Sequence, residues 1–556
     1  DIPFDRVVKA LAPGRELGRN PLTQANFTHQ RSFARVREID GVRIEGIPSR
    51  PFGTLFDLHI FTVERAGEWL ASIEFSTDLF RRESARRMLD QFVAILEAAA
   101  SNPETPVGEI ELVAGDERRL LLDWSWRESE FPDQSTIERE FAAVASRHGG
   151  RTALVAGGEA TSYRELDELA STIADGIGGA GIARGAAVGL RIERSADWIA
   201  AALGALKAGC CYVPIDPGYP PERIDFLIED TGCQLVIERD QGDLALHPVA
   251  RGVAGGAGVA DAGQLPPLAY IMFTSGSSGA PKGVEVTHRG VLRLVRGQDF
   301  ARFGADDTFL HLSTPSFDAA TFEVWAPLLT GARLVVAPPR VESFDQLAAL
   351  IGDHGVSVLW LTASLFNQIV DDAVGMLGGV RELLVGGEAL SLDHVRRAAA
   401  SLPGTRIING YGPTENTTFT CCQRIADDFD FDGARSIPIG RPLANSSVFI
   451  LDGGRRMCPP GMAGELCTGG AGLARGYRGR PRLTSEKFIA NPFAPHGGER
   501  LYLTGDRARW LPGGVIEYLG RCDDQIKIRG FRVEPGEIEH ALRRIEGVED
   551  AAVICR

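Results

Sequence analysis

Between residues 135 and 521 the sequence repeats one pattern, in which an amphipathic helix is followed by a short, strongly apolar strand. Helical spacing over 163–176 and 196–207 alternates with strand-like runs over 188–192 and 211–215. Strands that are apolar on both faces are typical of a parallel sheet covered by helices. This region is therefore predicted to be an α/β fold built from mostly parallel sheets.

Length and charge narrow the classes of protein that are compatible with this chain. Its 556 residues are too many for one ordinary domain, which predicts two to four compact units. With 59 basic and 74 acidic residues, the net charge of −15 argues against a general nucleic-acid or anionic-membrane surface. No stretch is apolar for long enough to suggest a membrane span.

The nine cysteines lack the spacing of a zinc ribbon or a redox motif. Their odd number is typical of reduced thiols in a cytoplasm, and small buried apolar side chains are the favoured interpretation. The ten histidines are dispersed as well. No structural metal is predicted.

The two ends of the chain have patterns of their own. Near the front, strand-like alternation over 55–61 and 68–75 precedes a helical pattern over 81–100, and residues 113–133 are polar and loop-like. At the other end, 525–533 alternates as a hairpin would, 535–545 has helical spacing and 551–555 is strand-like. We interpret this last segment as the start of a small α+β unit that is truncated at residue 556.

One loop carries the strongest chemical signal, the run Ile271-Met-Phe-Thr-Ser-Gly-Ser-Ser-Gly-Ala-Pro-Lys-Gly283. A buried strand leads into glycines and hydroxyl side chains, whose N–H groups can surround an anion, and Lys282 adds a positive charge. The alternative is a disordered Ser/Gly linker, but the preceding strand and the closing Pro-Lys-Gly disfavour it. The Walker spacing is absent, which disfavours a P-loop kinase or GTPase.

Further runs stand in order on both sides of this loop. They are Thr161-Ser-Tyr-Arg-Glu-Leu166, Leu206-Lys-Ala-Gly-Cys-Cys-Tyr-Val-Pro-Ile-Asp216, Ser316-Phe-Asp-Ala-Ala-Thr-Phe-Glu-Val-Trp325, Asn409-Gly-Tyr-Gly-Pro-Thr-Glu415, Gly464-Glu-Leu-Cys-Thr-Gly-Gly470 with Leu473-Ala-Arg-Gly-Tyr477, Tyr502-Leu-Thr-Gly-Asp506 and Gly520-Arg-Cys-Asp-Asp-Gln-Ile-Lys-Ile-Arg-Gly530. Together they resemble the motifs of the adenylate-forming superfamily, which comprises acyl-CoA ligases, luciferases and the adenylation domains of nonribosomal peptide synthetases.

The resemblance implies a fold and a domain plan. It implies a large N-terminal core of mostly parallel sheets flanked by helices over 135–521, and a small α+β C-terminal subdomain, incomplete here, over 522–556. Asp523 matches the hinge about which that subdomain rotates. Residues 1–115 resemble the C-terminal part of a condensation domain without its paired-histidine motif, and 116–134 is a predicted linker; a generic α/β fragment is the alternative for the front.

The resemblance also implies a reaction, in which an amino-acid carboxylate attacks the α-phosphate of ATP and releases pyrophosphate, with Mg²⁺. The catalytic residues implied are Thr274, Lys282, Glu415 and Arg521, and Glu415 is the implied Mg²⁺ ligand. Taken alone, Glu415 would be interpreted as a solvated loop carboxylate and Asp506 as a turn residue. The implied ATP-binding residues are Thr274, Ser275, Gly276, Ser277, Ser278, Gly279, Lys282, Gly387, Asn409, Tyr411, Glu415, Asp506, Tyr518 and Arg521.

Asp318 separates an amino-acid activator from its relatives. A substrate ammonium needs a desolvated counter-ion, which general acyl-CoA ligases and luciferases lack; an exposed helix cap is the alternative. By resemblance the pocket pattern is the valine-activating one, and because an extra methylene changes affinity by only about 1–3 kcal/mol, isoleucine or an analogue is a competing substrate. The implied pocket residues are Asp318, Ala319, Phe322, Trp360, Leu384, Gly386, Gly410, Thr418 and Phe419.

Partners follow from the same resemblance. The activated amino acid would be loaded onto the phosphopantetheine thiol of a carrier domain, which this chain does not contain. The segment 485–493 resembles the docking region for a small MbtH-like protein, with Ala490 and Pro492 as candidate contacts or as simple loop residues. The family's distal catalytic lysine is expected beyond residue 556, so impaired turnover is expected of the chain alone. An acyl- or aryl-CoA ligase and a catalytically incomplete scaffold are the alternative functions.

Overall fold

The computed structural model describes residues 2–11, 22–31, 37–44, 53–65, 68–113, 115–249, 266–276, 280–494, 498–523, 525–528, 531–545 and 547–554. The chain divides into two compact units, Asp1–Glu117 and Arg118–Arg556. None of the helices in the described ranges is both long and apolar enough to cross a bilayer.

The first unit is a small sheet covered by a helix. Its described strands pair in the order Ala25–Arg31, Leu58–Arg65 and Glu68–Phe75, the first two parallel and the last two antiparallel. The expected long helix is found at Arg82–Ser101, and Phe92 on it packs against Phe27 with ring centroids 5.7 Å apart. The remaining elements are Phe4–Leu11, Arg37–Ile39, Val42–Ile44 and the 3-10 turn Val107–Glu109.

Residues 113–133 were predicted to be polar and loop-like, and for much of this segment that was wrong. Helix Gly115–Ser125 occupies it, with Leu121 buried and Ser125 donating to the Leu121 carbonyl over 2.7 Å. The charged run at 116–119 hides the helical spacing of the apolar residues that follow it. Whether 116–134 links two domains stays a prediction.

The second unit contains two large sheets whose central strands are parallel. Among the described residues, one has the strand order Asp243–Pro248, Leu235–Asp240, Ala187–Arg191, Cys211–Pro214, Leu268–Thr274 and Lys282–Thr287. The other has the order Arg441–Pro442, Cys421–Arg424, Arg406–Tyr411, Glu382–Gly386, Val358–Thr362, Thr308–His311, Arg333–Val336, Thr152–Ala156 and Glu159–Ser162.

Helices cover these sheets, as the alternating pattern predicts. Ala196–Lys207 contacts strands of both sheets and is buried from Trp198 to Leu206, so it lies between them. The capping box of Ser162 and Glu165 starts Tyr163–Gly179. The other helices are Ile137–His148, Pro221–Thr231, His288–Val295, Ala319–Thr330, Phe344–His354, Ala363–Asp372, Leu392–Ser401 and Pro481–Lys487, with 3-10 turns Val374–Leu377 and Thr414–Asn416.

An antiparallel sheet and a small C-terminal segment complete the unit. The sheet contains Ser446–Leu451, Gly464–Gly470, Arg500–Leu511, Phe488–Ala490 and Val515–Arg521. The predicted hairpin and helix after it are found at Ile526–Ile528, Phe531–Val533 and Pro535–Arg543.

The predicted strand over 551–555 was wrong for the residues described, 551–554, which carry no strand. An extended segment needs a partner strand to complete its hydrogen bonds. The Val553 N–H instead donates to the side chain of Glu539 over 3.0 Å.

Candidate active site

The candidate site lies where parallel strands of the larger sheet end. Val358–Thr362, Glu382–Gly386 and Arg406–Tyr411 run side by side in the same direction, so Thr362, Gly386 and Gly410 pair at one edge, two residues beyond Trp360. The carboxyl ends of parallel strands are the usual ligand-binding edge of open α/β sheets. Several residues that the motifs singled out lie at this edge.

The phosphate-loop candidate connects two antiparallel strands, because Thr274 pairs with Lys282. A Cβ added at Gly276 would lie 2.1 Å from the Ala280 carbonyl oxygen, so only glycine allows this close approach to Ala280. Within the described part of the chain, the buried Thr274 hydroxyl has no hydrogen-bond partner. The predicted residues Ser277, Ser278 and Gly279 lie outside the described residues.

Lys282 points into a buried polar cluster. Its Nζ lies 3.3 Å from Glu415 Oε1 and donates to Tyr477 Oη over 3.1 Å, while Tyr477 Oη donates to the same Glu415 oxygen over 2.7 Å. The Glu415 side chain is fully buried. Burial, with the adjacent Glu415 carboxylate, raises the pKa of Tyr477 well above its ordinary value, so its hydroxyl keeps its proton.

The turn after Glu415 is held in an unusual backbone conformation. Thr417 and Thr418 have φ values of 53° and 66°, which β-branched residues rarely adopt. The buried guanidinium of Arg293 donates to the carbonyls of Asn416 and Phe419 over 2.7 Å each, and to that of Thr417 over 3.2 Å. Arg293 therefore fixes the turn that presents Thr418 and Phe419.

Asp318 stands at the start of helix Ala319–Thr330, but its side chain makes no capping hydrogen bond to that helix. Its Oδ2 accepts from the Thr414 hydroxyl over 2.7 Å, and its backbone carbonyl accepts from the Thr418 hydroxyl over 2.8 Å. The carboxylate is thus oriented toward the Thr414 turn. This arrangement disfavours the alternative that Asp318 is a simple helix cap.

Six of the nine predicted amino-acid pocket residues line one cavity, and the other three pack behind it. The predicted residues along that cavity are Asp318, Ala319, Trp360, Gly410, Thr418 and Phe419.

The other three predicted pocket residues form its support. Phe322 packs its ring 5.5 Å from that of Phe419, and Leu384 is fully buried in its strand. A Cβ at Gly386 would lie 2.2 Å from the Gly410 carbonyl oxygen, so glycine permits the close approach of the two strands.

The same cavity continues past several predicted nucleotide residues, namely Gly387, Asp506 and Arg521. Asp506 accepts from the hydroxyl of Tyr411 and, over 2.8 Å, from Arg521 Nη1. Tyr518 lies beside Tyr411, with ring centroids 6.3 Å apart, and burial next to Asp506 raises its pKa to about 12.

Asn409 is not brought to this cavity. Its side-chain amide donates over 2.8 Å to the carbonyl of Pro438, within the core. At the predicted hinge, the Arg521 guanidinium donates to both carboxylate oxygens of Asp523, over 2.7 and 2.6 Å. Arg521 thus joins Asp506 of the core to Asp523.

The sequence interpretation assigned no role to Arg293, Thr414 or Tyr477. Tyr477 closes a quoted motif and Thr414 precedes Glu415, so position within a motif was the available signal for both. The sequence offered no signal for Arg293, because a fully buried arginine is rare and its helix carries ordinary basic and apolar residues.

In the predicted docking region for an MbtH-like protein, Ala490 and Pro492 are both exposed.

Comparisons with known proteins agree with this geometry. The family model described as AMP-binding enzyme matches residues 141–478, and the condensation-domain model matches residues 1–122. A linear gramicidin synthase and tyrocidine synthase 3, both of Brevibacillus parabrevis, are 41% and 39% identical over all of this chain. The chain spans 7% and 9% of the lengths of these two relatives.

Solved structures resemble the chain as well. Holo-PA1221, an NRPS protein with adenylation and PCP domains bound to a vinylsulfonamide inhibitor, is 37% identical with a TM-score of 0.69, over 79% of this chain and 76% of that one. Holo-AB3403, a four-domain nonribosomal peptide synthetase bound to AMP and glycine, is 29% identical with a TM-score of 0.78, over 100% of this chain and 43% of that one. The predicted adenylate-forming fold is confirmed.

Proposed function

Because the chain belongs to the AMP-binding enzymes, as an adenylation domain of the nonribosomal peptide synthetases with condensation-domain sequence in front of it, we propose that it activates an amino acid with ATP and Mg²⁺. The products are the aminoacyl-adenylate and pyrophosphate. The observation that carries the proposal is the Asp318 carboxylate in a cavity that continues to Gly387, Asp506 and Arg521.

The reaction joins two anions, so positioning and charge neutralisation dominate its catalysis. A substrate carboxylate oxygen forms a bond to the α-phosphorus of ATP, and the bond from that phosphorus to the bridging oxygen of pyrophosphate breaks. Asp318 binds the substrate ammonium and thereby orients the carboxylate. Thr274 and Lys282 bind the phosphates that leave, and the Thr274 hydroxyl, which has no hydrogen-bond partner among the described residues, supports this role.

The residues present fit Mg²⁺ as well. Glu415 supplies a buried carboxylate beside Lys282, and a hard cation prefers such oxygen ligands together with phosphate oxygens. When bound there, the ion neutralises phosphate charge. Asp506 binds the ribose hydroxyls and Arg521 the ribose or a phosphate, while Tyr411 contacts the adenine.

The proposed substrate is valine. Trp360 and Phe419 are bulky and line the cavity, with Phe322 packed against Phe419, which leaves a short apolar space near Ala319. Among the nine pocket residues Asp318 alone is charged, so a charged substrate side chain would lose its hydration without a counter-ion of its own. Isoleucine is the expected second substrate, since pockets discriminate a single methylene weakly.

The proposed partners are domains of a longer synthetase. A carrier domain would receive the aminoacyl group on its phosphopantetheine thiol, and a condensation domain would stand upstream. An MbtH-like protein would dock near Ala490 and Pro492, whose exposure supports the idea. The described cysteines are free thiols, which supports the expected cytoplasmic location.

Amino-acid-dependent ATP–pyrophosphate exchange tests the function. It is measured with the proteinogenic amino acids on this chain and on a version extended beyond Arg556. Valine is expected to give the highest exchange and isoleucine the next. A protein that binds ATP but exchanges with none of these amino acids would contradict the proposal.

A further inference from the structure

The Tyr477 hydroxyl stands between the two charged residues proposed to bind Mg²⁺ and phosphate. It accepts from Lys282 Nζ over 3.1 Å, donates to Glu415 Oε1 over 2.7 Å, and lies 3.3 Å from the Tyr502 hydroxyl. The Lys282 ammonium also lies 4.5 Å from the centre of the Tyr477 ring. The hydroxyl and the ring of one residue thus both contact the ion pair.

This arrangement differs from the usual role of a buried tyrosine. Tyr163, which is equally enclosed by the core, donates to the backbone carbonyls of Pro327 and Ala332 over 3.0 and 2.6 Å. Its hydroxyl satisfies neutral groups of the fold. The Tyr477 hydroxyl instead contacts an ammonium and a carboxylate, where hydrogen bonds are stronger.

If Lys282 and Glu415 have the proposed roles, their ion pair must separate when MgATP binds. In the structure Lys282 and Glu415 neutralise each other at 3.3 Å. When MgATP binds, the ammonium must turn toward phosphate and the carboxylate toward the metal. Separating opposite charges is costly in surroundings that exclude water.

We propose that Tyr477 is a positioning residue for MgATP, whose hydroxyl holds the Glu415 carboxylate in place as Lys282 leaves it for the phosphates. The hydrogen bond to Oε1 does not depend on the ammonium and is available in both states. It lowers the cost of opening the pair and keeps the carboxylate at the position the metal needs. This inference rests on the proposed function of Lys282 and Glu415.

The test compares Tyr477→Phe with Tyr163→Phe, since each removes one buried hydroxyl and keeps the ring. Equilibrium binding of MgATP is measured by calorimetry, which requires no turnover. Tyr477→Phe is expected to raise the MgATP dissociation constant by about tenfold or more, the range for a hydrogen bond to a charged group. Tyr163→Phe is expected to leave that constant unchanged.

A double-mutant cycle with Glu415→Gln separates positioning from general destabilisation. If Tyr477 acts through Glu415, Tyr477→Phe has a much smaller effect on MgATP binding in the Glu415→Gln background. The inference would be overturned by additive effects in the cycle or by an unchanged MgATP dissociation constant in Tyr477→Phe. It would also be overturned if Tyr163→Phe raised that constant equally. Loss of the fold in Tyr477→Phe alone, seen by circular dichroism, would assign the hydroxyl to stability and overturn it too.

Exchange measured on the same wild-type sample distinguishes this inference from the proposed function. A protein that binds MgATP without exchanging any amino acid contradicts the function, while the calorimetric comparison still decides the role of Tyr477. A wild-type protein that does not bind MgATP overturns both.

Discussion

The hydroxyl of Thr414 donates a hydrogen bond to Asp318 Oδ2 across 2.7 Å. Thr414 is followed directly by Glu415, so one short turn orients the carboxylate proposed for the substrate ammonium and supplies the carboxylate proposed for Mg²⁺. The proposed amino-acid and nucleotide halves of the site are therefore connected through adjacent residues.

Replacing Thr414 by Val removes this hydrogen bond while keeping a similar shape. The Michaelis constant for valine is expected to rise about tenfold, because the bond is made to a charged group, and that for ATP should change little. Exchange kinetics with each substrate varied in turn measure both constants. Thr330→Val is the control, since it removes a hydroxyl that donates to a backbone carbonyl at the far end of helix Ala319–Thr330, which Asp318 precedes. Equal effects in the two variants would contradict the prediction.

Arg293 is expected to be required for the pocket wall at Phe419. Arg293→Met removes three donors from buried carbonyls, so the free energy of unfolding should fall by about 3 kcal/mol and the Michaelis constant for valine should rise. Arg293→Lys should restore little, because an ammonium cannot reproduce the guanidinium fork. Arg289→Met changes an exposed residue on the same helix and is the control. Wild-type kinetics in Arg293→Met would refute this role.

Gly410 is expected to tolerate no side chain. A Cβ there would lie 2.7 Å from Phe419 Cε1, so Gly410→Ala must displace this ring, which lines the cavity. Overpacking of this kind costs about 1–3 kcal/mol, and kcat/KM for valine should fall more than that for alanine. Gly352→Ala, where a Cβ meets nothing within 4 Å, should leave exchange unchanged. An unaltered valine-to-alanine ratio in Gly410→Ala would rule out the steric account.

The buried His288 is expected to make the folded protein less stable in acid. Its Nδ1 accepts from the Ile137 N–H over 3.1 Å, which requires an unprotonated nitrogen, and burial lowers its pKa from 6.5 to about 4. The unfolded chain therefore binds a proton that the folded chain does not as the pH falls from 6.5 toward 4. This titration should lower the free energy of unfolding by up to about 3 kcal/mol over this window, and His288 should contribute no further loss at lower pH.

Chemical denaturation at several pH values measures that slope. His288→Asn should flatten it, because an amide oxygen can still accept from Ile137 and does not titrate in this range. His540→Asn, on the surface of the C-terminal helix, should leave it unchanged. A slope that is the same in all three proteins would contradict the assignment.

Much of the fold could be predicted from the sequence, because periodicity and motif order constrain it, and the motifs also named residues that line one cavity. Helix Ala196–Lys207 was predicted at both ends, and six of nine pocket residues line the cavity. A motif names a residue but not the direction of its side chain. Asn409 illustrates this, since its amide binds the Pro438 carbonyl, from a loop 29 residues away in the sequence.

Contacts between distant motifs could not be predicted either, because a motif does not show which distant residues its side chains contact. Tyr477 and Glu415 are 62 residues apart, and only the folded chain brings the hydroxyl to the carboxylate. Arg293 depends on carbonyls more than 120 residues away. Local pattern carries no information about such pairs.

The most direct test of an amino-acid adenylation site compares valine with 3-methylbutanoate, the same carbon skeleton without the ammonium group. Pyrophosphate exchange is measured with each on the wild type and on Asp318→Ala. Valine should exceed 3-methylbutanoate by about a hundredfold in the wild type, because 3-methylbutanoate has no ammonium group to bind the Asp318 carboxylate, and the advantage should vanish in Asp318→Ala. Equal exchange with the two compounds in the wild type, or a valine preference that survives Asp318→Ala, would contradict the account.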